Sequence, residues 1–335
     1  MLNLMKYRNM EKIVAIVVTF NKKELLVNAI NGILSQDLLP DKLVIVDNNS
    51  DDGTPIVLLE NGWIDVLPQV SANKDIIYSK KYAEIEIDYI RKFENDGGAG
   101  GFYRGMVHSY ELGYDWLWMM DDDGVPEKQC LKFLYESRDL NIVSGPLVID
   151  IENKETASFI YDKKTSNKFA LVKDLVKEEI LKNVLNAFNG TFIPREIIKE
   201  IGFVKKEMFI WGDENEYMFR IIKNNFSVQT ITKALHFHPL SKQTYKYRST
   251  VFKFTIYEIA NPKFMYIRCR NAIYLEKIKE NKVLFGVNIP LFRVVYEAIV
   301  NSIYNFAIGE FYKSKLCLSA IPNGLRGDFS MSKFK

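Results

Sequence analysis

The stretch KIVAIVVTFNKKELLVNAINGILSQDLLPDKLVIVDNNS, residues 12–50, decides the fold. Its first part, KIVAIVVTF (12–20), is β-branched and apolar up to the polar Asn21, the pattern of a strand buried on both faces. KELLVNAINGILSQ (23–36) then spaces Leu25, Leu26, Ala29, Ile30, Ile33 and Leu34 at helical intervals. Pro40 and Asp41 break that run, and DKLVIVDNNS (41–50) forms a second buried strand stopping at Asp47. Strand, helix and strand in this order make a βαβ unit of parallel sheet. Ligands collect at the carboxyl ends of such strands.

Downstream, DWLWMM (115–120) is a buried strand that runs straight into Asp121-Asp122-Asp123. A helix opens at Pro126 and Glu127 and ends near Arg138, and NIVSGPLVI (141–149) is another strand. NGTFIPRE (189–196) gives a strand and a short helix, Glu214–Lys223 a further helix, and SVQTITKALHFHP (227–239) a last strand closing on two histidines. Between these, residues 62–94 read as a charged, irregular excursion with short strand-like pieces, 101–112 as a helix, and the Lys/Glu-rich 150–185 as a solvated insertion. From about residue 245 the pattern turns helical and amphipathic. The expectation is an α/β, Rossmann-like nucleotide-binding domain over 1–244 and a mostly helical C-terminal region over 245–335.

A composition of 47% apolar and 26% charged residues excludes a disordered chain. Cys130, Cys269 and Cys317 have no paired spacing, which points to free thiols in a reducing compartment. The N-terminal stretch lacks the apolar core of a signal peptide, and no apolar run is long enough to span a bilayer. The expected location is therefore the cytoplasm. The net charge of +3 conceals an asymmetry: residues 241–335 carry 16 Lys and Arg against 6 Asp and Glu. No nucleic-acid-binding motif accompanies that basic region, so contact with an anionic membrane or a lipid phosphate ranks first. On this reading the protein works at the inner face of the cytoplasmic membrane. The bland alternative is a helical subdomain or a homo-oligomer interface.

The acidic triple Asp121-Asp122-Asp123 is the sharpest chemical feature. Carboxylates crowded at a strand exit repel one another, and a hard cation relieves that repulsion. Mg2+ or Mn2+ prefers oxygen ligands and shares its shell with substrate phosphates. Asp121 and Asp123 are the expected ligands, with Asp122 on a donor ribose or a structural partner. A first-turn helix cap is the alternative, and three acids in a row exceed what a cap requires. His236 and His238 flank Phe237 on a strand. They are assigned to opposite faces, so that one of the two completes the metal shell as a neutral imidazole.

Asp47, with Asn48 beside it, stands at a strand end where a carboxylate can accept from a base or a ribose hydroxyl, although SDDG alone would make a turn there. Gly97, Gly98 and Gly100 in NDGGAGGF (95–102) let backbone approach a phosphate, with Arg104 in reach one turn on. This loop is neither a Walker sequence nor GxGxxG. In WGDENE (211–216), Asp213 follows an aromatic residue and a glycine at a helix start and suits a general base. Glu214 and Glu216 read as first-turn helix acids.

In this order, VVTFN (17–21), VDNNSDDGT (46–54), NDGGAGGFYRG (95–105), MMDDDG (119–124), NGTFIPRE (189–196) and WGDENEY (211–217) resemble family 2 glycosyltransferases of the GT-A fold. The galactofuranosyltransferase branch is most similar, apart from Gly212, where that branch often has a second Asp. The resemblance covers residues 12–240, and RNAIYLEK (270–277) is similar to a segment that follows the catalytic domain in that branch. It implies an inverting transferase that moves a sugar, galactofuranose from UDP-galactofuranose, to a hydroxyl of a glycan or lipid-linked acceptor in cell-surface polysaccharide synthesis. It implies Mn2+ or Mg2+ on Asp121, Asp123 and either His236 or His238. Thr19, Phe20, Asn21, Asp47, Asn48, Asp122, the glycine loop and Arg104 would serve the donor. Asp213 would be the base, and Trp211 and Glu214 would face the acceptor. Rival readings are a rhamnosyl- or hexopyranosyltransferase of the same fold, a nucleotidyltransferase, and a non-catalytic carbohydrate-binding relative.

Overall fold

The computed structural model describes residues 11–69, 73–161, 170–240, 245–250, 254–279, 283–284, 287–331 and 334. The N-terminal residues 1–10, read above for a leader, and 162–169 of the solvated insertion lie outside the described residues. By compactness the chain divides into one unit of Met1–Lys206 with Arg220–Ser241 and another of Glu207–Phe219 with Lys242–Lys335. The segment 207–219, expected within the first domain, thus groups with the C-terminal region.

The first unit begins with strand β1 (Ile13–Thr19), helix α1 (Lys23–Leu34), β2 (Lys42–Asp47) and α2 (Thr54–Glu60). It continues with β3 (Ile76–Tyr82), β4 (Ile85–Arg91), α3 (Gly97–Glu111), β5 (Trp116–Asp121), β6 (Val125–Pro126) and α4 (Cys130–Glu136). β7 (Ile142–Asp150), α5 (Val172–Leu175), β8 (Ile180–Lys182), β9 (Asn189–Pro194), α6 (Arg195–Ile201), α7 (Asp213–Lys223, shared with the second unit) and β10 (Ser227–His238) complete it.

One ten-stranded sheet runs in the order β3-β4-β2-β1-β5-β9-β7-β10-β6, with β8 on β10. β4, β2, β1 and β5 are parallel, whereas β9 runs antiparallel to β5. The chain builds outward from β1 through β2 to β4, then returns to place β5 on the other side of β1. That reversal puts the carboxyl ends of β1 and β5 at a topological switch point, where α/β sheets bind ligands.

The uninterrupted apolar run of β1 follows from being covered twice. Ile13, Ala15 and Val17 join Leu26, Ala29, Ile30 and Ile33 of α1 in one core. The alternate residues face α3, where a Cβ on Gly101 would come within 2.3 Å of Val18 and one on Gly105 within 2.6 Å of Ile16. These glycines let a helix backbone lie directly on the sheet. Trp116 and Phe192 stack across β5 and β9 with centroids 4.7 Å apart.

The structure corrects three expectations. Residues 62–94 hold a hairpin whose second strand, β4, is buried and parallel to β2, rather than an irregular excursion. The 150–185 insertion contributes β8 to the sheet edge. Val125 and Pro126 pair with β10, so the helix after the acidic triple starts at Cys130.

In the second unit, β11 (Tyr245–Ser249) and β12 (Phe254–Tyr257) form a hairpin that precedes the helices α8 (Pro262–Ile278), α9 (Ile289–Ala307) and α10 (Phe311–Arg326). Met265, Tyr266, Ile267 and Ile273 of α8 pack with Ala298 of α9 and with Leu316, Cys317 and Ala320 of α10.

Candidate active site

Two loops meet at the switch point. Behind β1, Thr19 Oγ1 donates to Asp122 Oδ2 at 2.7 Å and the Phe20 N–H donates to the same oxygen at 3.3 Å. Asn21, at φ 53°, turns the chain. Its N–H donates to Ser50 Oγ, while its side chain donates to Asp51 Oδ1 at 2.7 Å and accepts from the Asp51 N–H at 2.8 Å. Thr19 and Asn21 therefore tie the acidic loop and the β2 loop to the end of β1, and Phe20 is left 41% exposed.

The three acids are divided by environment. Asp122 is buried, and burial raises its carboxyl pKa against the opposing pull of Lys22 and Thr19. Its oxygens are occupied by Thr19, Phe20 and Lys22, which gives it a structural partner rather than a donor-facing position. Asp121 ends β5 half-buried, with its N–H donating to the Phe188 carbonyl. Asp123 reaches outward. Its Oδ2 accepts from Lys22 Nζ at 2.8 Å, and its Oδ1 lies 3.1 Å from His238 Nε2. Burial works against its charge, but His238 and then Lys22 outweigh that and hold the carboxyl well below its usual range.

Residues two apart on a strand share a face, so the assignment of His236 and His238 to opposite faces was wrong. Both rings lie by the acidic loop, and they differ in depth instead. His236 is fully buried, and a Cβ on Gly124 would come within 2.1 Å of its Nε2. Burial, followed by the charge of His238, pushes its pKa down to about 3. Neither of its ring nitrogens has a hydrogen-bond partner among the described residues.

His238 is the histidine that reaches Asp123. Its Nδ1 lies 2.6 Å from the Pro239 carbonyl oxygen, an acceptor only, and so carries a proton. Its Nε2 faces Asp123 Oδ1 at 3.1 Å: a proton on Nε2 is donated to that carboxylate, and in its absence the two atoms would stand as adjacent ligands for a cation. Adjacent ligands of an octahedral ion with bonds of 2.0–2.1 Å stand about 3 Å apart. A ring N–H donated to a backbone carbonyl is the usual orientation of a metal-ligating histidine. The donor set thus fits a hard divalent cation at Asp123 and His238. Among the described residues no group of three His, Cys, Asp or Glu side chains is placed to hold a metal ion. A site of Asp123 and His238 alone would leave the rest of the shell to substrate phosphate and water.

Other expected donor contacts are committed internally. Asp47 is fully buried and accepts from Tyr89 Oη at 2.6 Å, Arg91 Nη1 at 2.5 Å and the Ser50 N–H at 2.7 Å. Asn48 is buried and donates to the Gly97 carbonyl. Arg104 Nε donates to Asp75 Oδ2 at 2.9 Å. Within the glycine loop, a Cβ on Gly100 would collide with the Asp96 side chain, while Gly98 faces open space. Gly97 has φ 82° and donates its N–H to Asn95 Oδ1.

The sequence reading passed over Lys22, Tyr89 and Arg91. Lys22 bridges Asp122 and Asp123, and their charges raise its pKa although burial opposes them. Tyr89 and Arg91 hold Asp47 from β4, the strand read as irregular. Arg91 also lines a cleft with Ser50, Asp51, Ile56, Leu67 and Pro68.

In the second unit, Asp213 opens α7 and is buried behind Gly212 at φ 97°. Glu214 folds back to accept from the Gly212 N–H at 3.0 Å, which gives it a capping duty rather than an acceptor-facing one. Trp211 is 36% exposed and meets Phe264 edge-on. The RNAIYLEK segment explains itself here. Asn271 Nδ2 lies 2.8–3.0 Å from the carbonyls of Met208, Ile210 and Trp211, and buried Arg270 donates to the Met208 carbonyl at 3.1 Å.

Residues 11–260 match the family described as "Glycosyltransferase like family 2". The chain is 26% identical over 244 residues to galactofuranosyltransferase GlfT1 of Mycolicibacterium smegmatis, covering 70% of this chain and 74% of that protein. GlfT1 of Mycobacterium tuberculosis is 28% identical over 246 residues, covering 70% and 73%. The dTDP-rhamnosyl transferase RfbF of Shigella flexneri is 22% identical over 250 residues, covering 74% and 81%.

Proposed function

This chain belongs to the family 2-like glycosyltransferases of GT-A architecture, and from that premise we propose that it is an inverting, metal-dependent galactofuranosyltransferase. It takes the sugar from UDP-galactofuranose to a hydroxyl of a glycan or lipid-linked acceptor in cell-surface polysaccharide synthesis. The observation that carries the metal-dependent part is the pairing of Asp123 with His238, whose Nδ1 is already bonded to the Pro239 carbonyl. The galactofuranosyl donor is supported by the two GlfT1 relatives.

Asp123 and His238, with Asp121 at the strand end, would hold Mn2+ or Mg2+. Such an ion supplies Lewis-acid neutralisation of the leaving diphosphate when bound. Asp122 fixes the loop to Thr19 and Phe20, so that Asp123 is presented without reorganisation. The cleft at Arg91 and Ser50 receives the nucleoside end, with Asp47 holding Arg91 in place. Asp213 takes the proton of the acceptor hydroxyl as that oxygen attacks the anomeric carbon, with Trp211 beside it on the acceptor side. The basic C-terminal region extends the reading to the cytoplasmic face of an anionic membrane.

The RfbF relative favours dTDP-rhamnose as a second donor reading. A panel of UDP-galactofuranose, UDP-galactopyranose and dTDP-rhamnose, assayed for nucleotide release, separates the two. Release of UDP is expected, and pyrophosphate would mark a nucleotidyltransferase instead. Asp213→Asn should lower turnover by at least about a hundredfold while UDP affinity stays within twofold. Normal turnover in that variant would remove Asp213 from the mechanism.

A further inference from the structure

Helix α9 carries apolar side chains on its outer face as well as its inner one. Its inward face is mixed: Ala298 lies in the core with Leu291, Val294 and Val295 packed against it, and Glu297, Asn301, Ser302 and Asn305 are buried as well. Glu297 accepts from the Thr255 N–H at 2.7 Å, and Asn301 donates to the Thr255 carbonyl at 2.8 Å. The Ser302 and Ser314 hydroxyls bond at 2.9 Å. The helix is therefore attached to β12 and α10 through polar side chains as well as through its apolar inner residues, and its outward face carries a second apolar set. Ile289, Phe292, Ile299, Ile303 and Phe306 are 48%, 64%, 38%, 64% and 62% exposed. Their spacing follows one helical stripe, about 26 Å long at 1.5 Å per residue.

The stripe continues onto α10. Phe306 packs edge-on against Phe311 with centroids 5.2 Å apart, and Phe311 and Leu318 are 62% and 50% exposed. A contiguous apolar surface of this kind marks a place where something else packs. Its charge says what. Arg293, Lys315 and Arg326 are exposed on these two helices, and the only acid in either is the buried Glu297. The exposed Glu310 in the turn between the helices is partnered by Lys313 at 3.6 Å, so a symmetric pairing of two copies would set a largely cationic face against itself. An anionic bilayer supplies both an apolar boundary and the counter-charge.

We propose that the outer face of α9 and α10 seats on an anionic lipid bilayer, with the Phe and Ile stripe in the acyl boundary and Arg293, Lys315 and Arg326 on the headgroups. This deepens the membrane-surface reading of the C-terminal region and rests on it, but it requires no particular donor or acceptor. The seating is shallow, because among the described residues no helix is long and apolar enough to cross a membrane.

The test is flotation of the full chain with vesicles of phosphatidylcholine, alone or mixed with phosphatidylglycerol. Alongside it run Phe292→Ser/Ile303→Ser/Phe306→Ser and Arg293→Glu/Lys315→Glu, with the mass of each protein measured in solution. The wild type should bind the mixed vesicles in a salt-sensitive way, and each variant should bind at least about tenfold more weakly. All should keep the same solution mass and the same UDP release from a soluble donor assay. If the wild type ignores mixed vesicles, both the membrane reading and this seating fall. If it binds and the variants bind equally, the membrane reading stands and this face is wrong. A wild-type dimer that the stripe variant dissociates, without vesicle binding, would make a second copy the occupant and overturn the proposal.

Discussion

At the scale of the residue, the acidic run is three carboxylates with three duties. Asp122 closes the loop onto β1, Asp123 faces His238, and Asp121 terminates a strand. The sequence sets Asp122 apart from Asp121 and Asp123 but does not name its partners, because burial and partner choice depend on a β1 loop more than a hundred positions away. Lys22 is the clearest omission. An isolated lysine after a strand carries no signal, yet its ammonium bridges Asp122 and Asp123 from the same side of the charge balance that a metal would occupy. Metal and ammonium therefore compete for Asp123. Lys22→Met should tighten Mn2+ binding about three- to fivefold, the effect of removing a partly exposed ion pair of up to ~1 kcal/mol. Calorimetric titration of Mn2+ checks this. Weaker binding in Lys22→Met would mean that the lysine supports the ion rather than opposing it.

At the scale of the element, periodicity made β1, α1, β2 and β5 legible because each is long, regular and buried. It missed β4, whose IEIDYIR interrupts its apolar positions with Glu86, Asp88 and Arg91. Those charges are buried or edge-facing for specific reasons: Asp88 pairs with Lys42 and His108, and Arg91 with Asp47. Such tertiary pairing leaves no trace in a local pattern. The glycine loop misled in the opposite direction, since Gly101 and Gly105 serve close packing of α3 on β1.

Helix α8 shows an element acting through a loop. Asn271 is buried against three successive carbonyls of the segment leading to Asp213. Asn271→Ala leaves these acceptors without that donor. It should cost about 1–3 kcal/mol of stability and lower kcat more than it weakens UDP binding. Thermal melts, set beside turnover and a UDP titration, measure both effects. A variant with unchanged kcat would limit Asn271 to a stabilising role.

At the scale of the whole molecule, stability against acid depends on the buried Asp88. Burial opposes its ionisation, but His108 and Lys42 overcome that and lower its pKa below the ordinary value of 3.8. A carboxyl depressed in the folded state contributes stability that is complete above its unfolded pKa and is lost as pH falls through the folded one. Asp88→Asn should therefore be about 3 kcal/mol less stable near neutral pH, as expected for breaking a buried pair. The gap should narrow as pH drops below about 4. Denaturant melts across that range test it, and a gap independent of pH would exclude the ion pair as its source.

The charge asymmetry of the chain was legible in composition. The exposed apolar face of α9 was not, because which side of an amphipathic helix faces inward is decided by what it packs on. The central claim is that Asp123 and His238 seat the divalent cation that a UDP-sugar donor requires. Its most direct measurement is titration of Mn2+ into UDP-saturated protein, comparing wild type with His238→Ala and Asp123→Asn. One Mn2+ per chain is expected in the wild type, with at least about tenfold weaker binding in each variant. Wild-type Mn2+ affinity in both variants would contradict the claim.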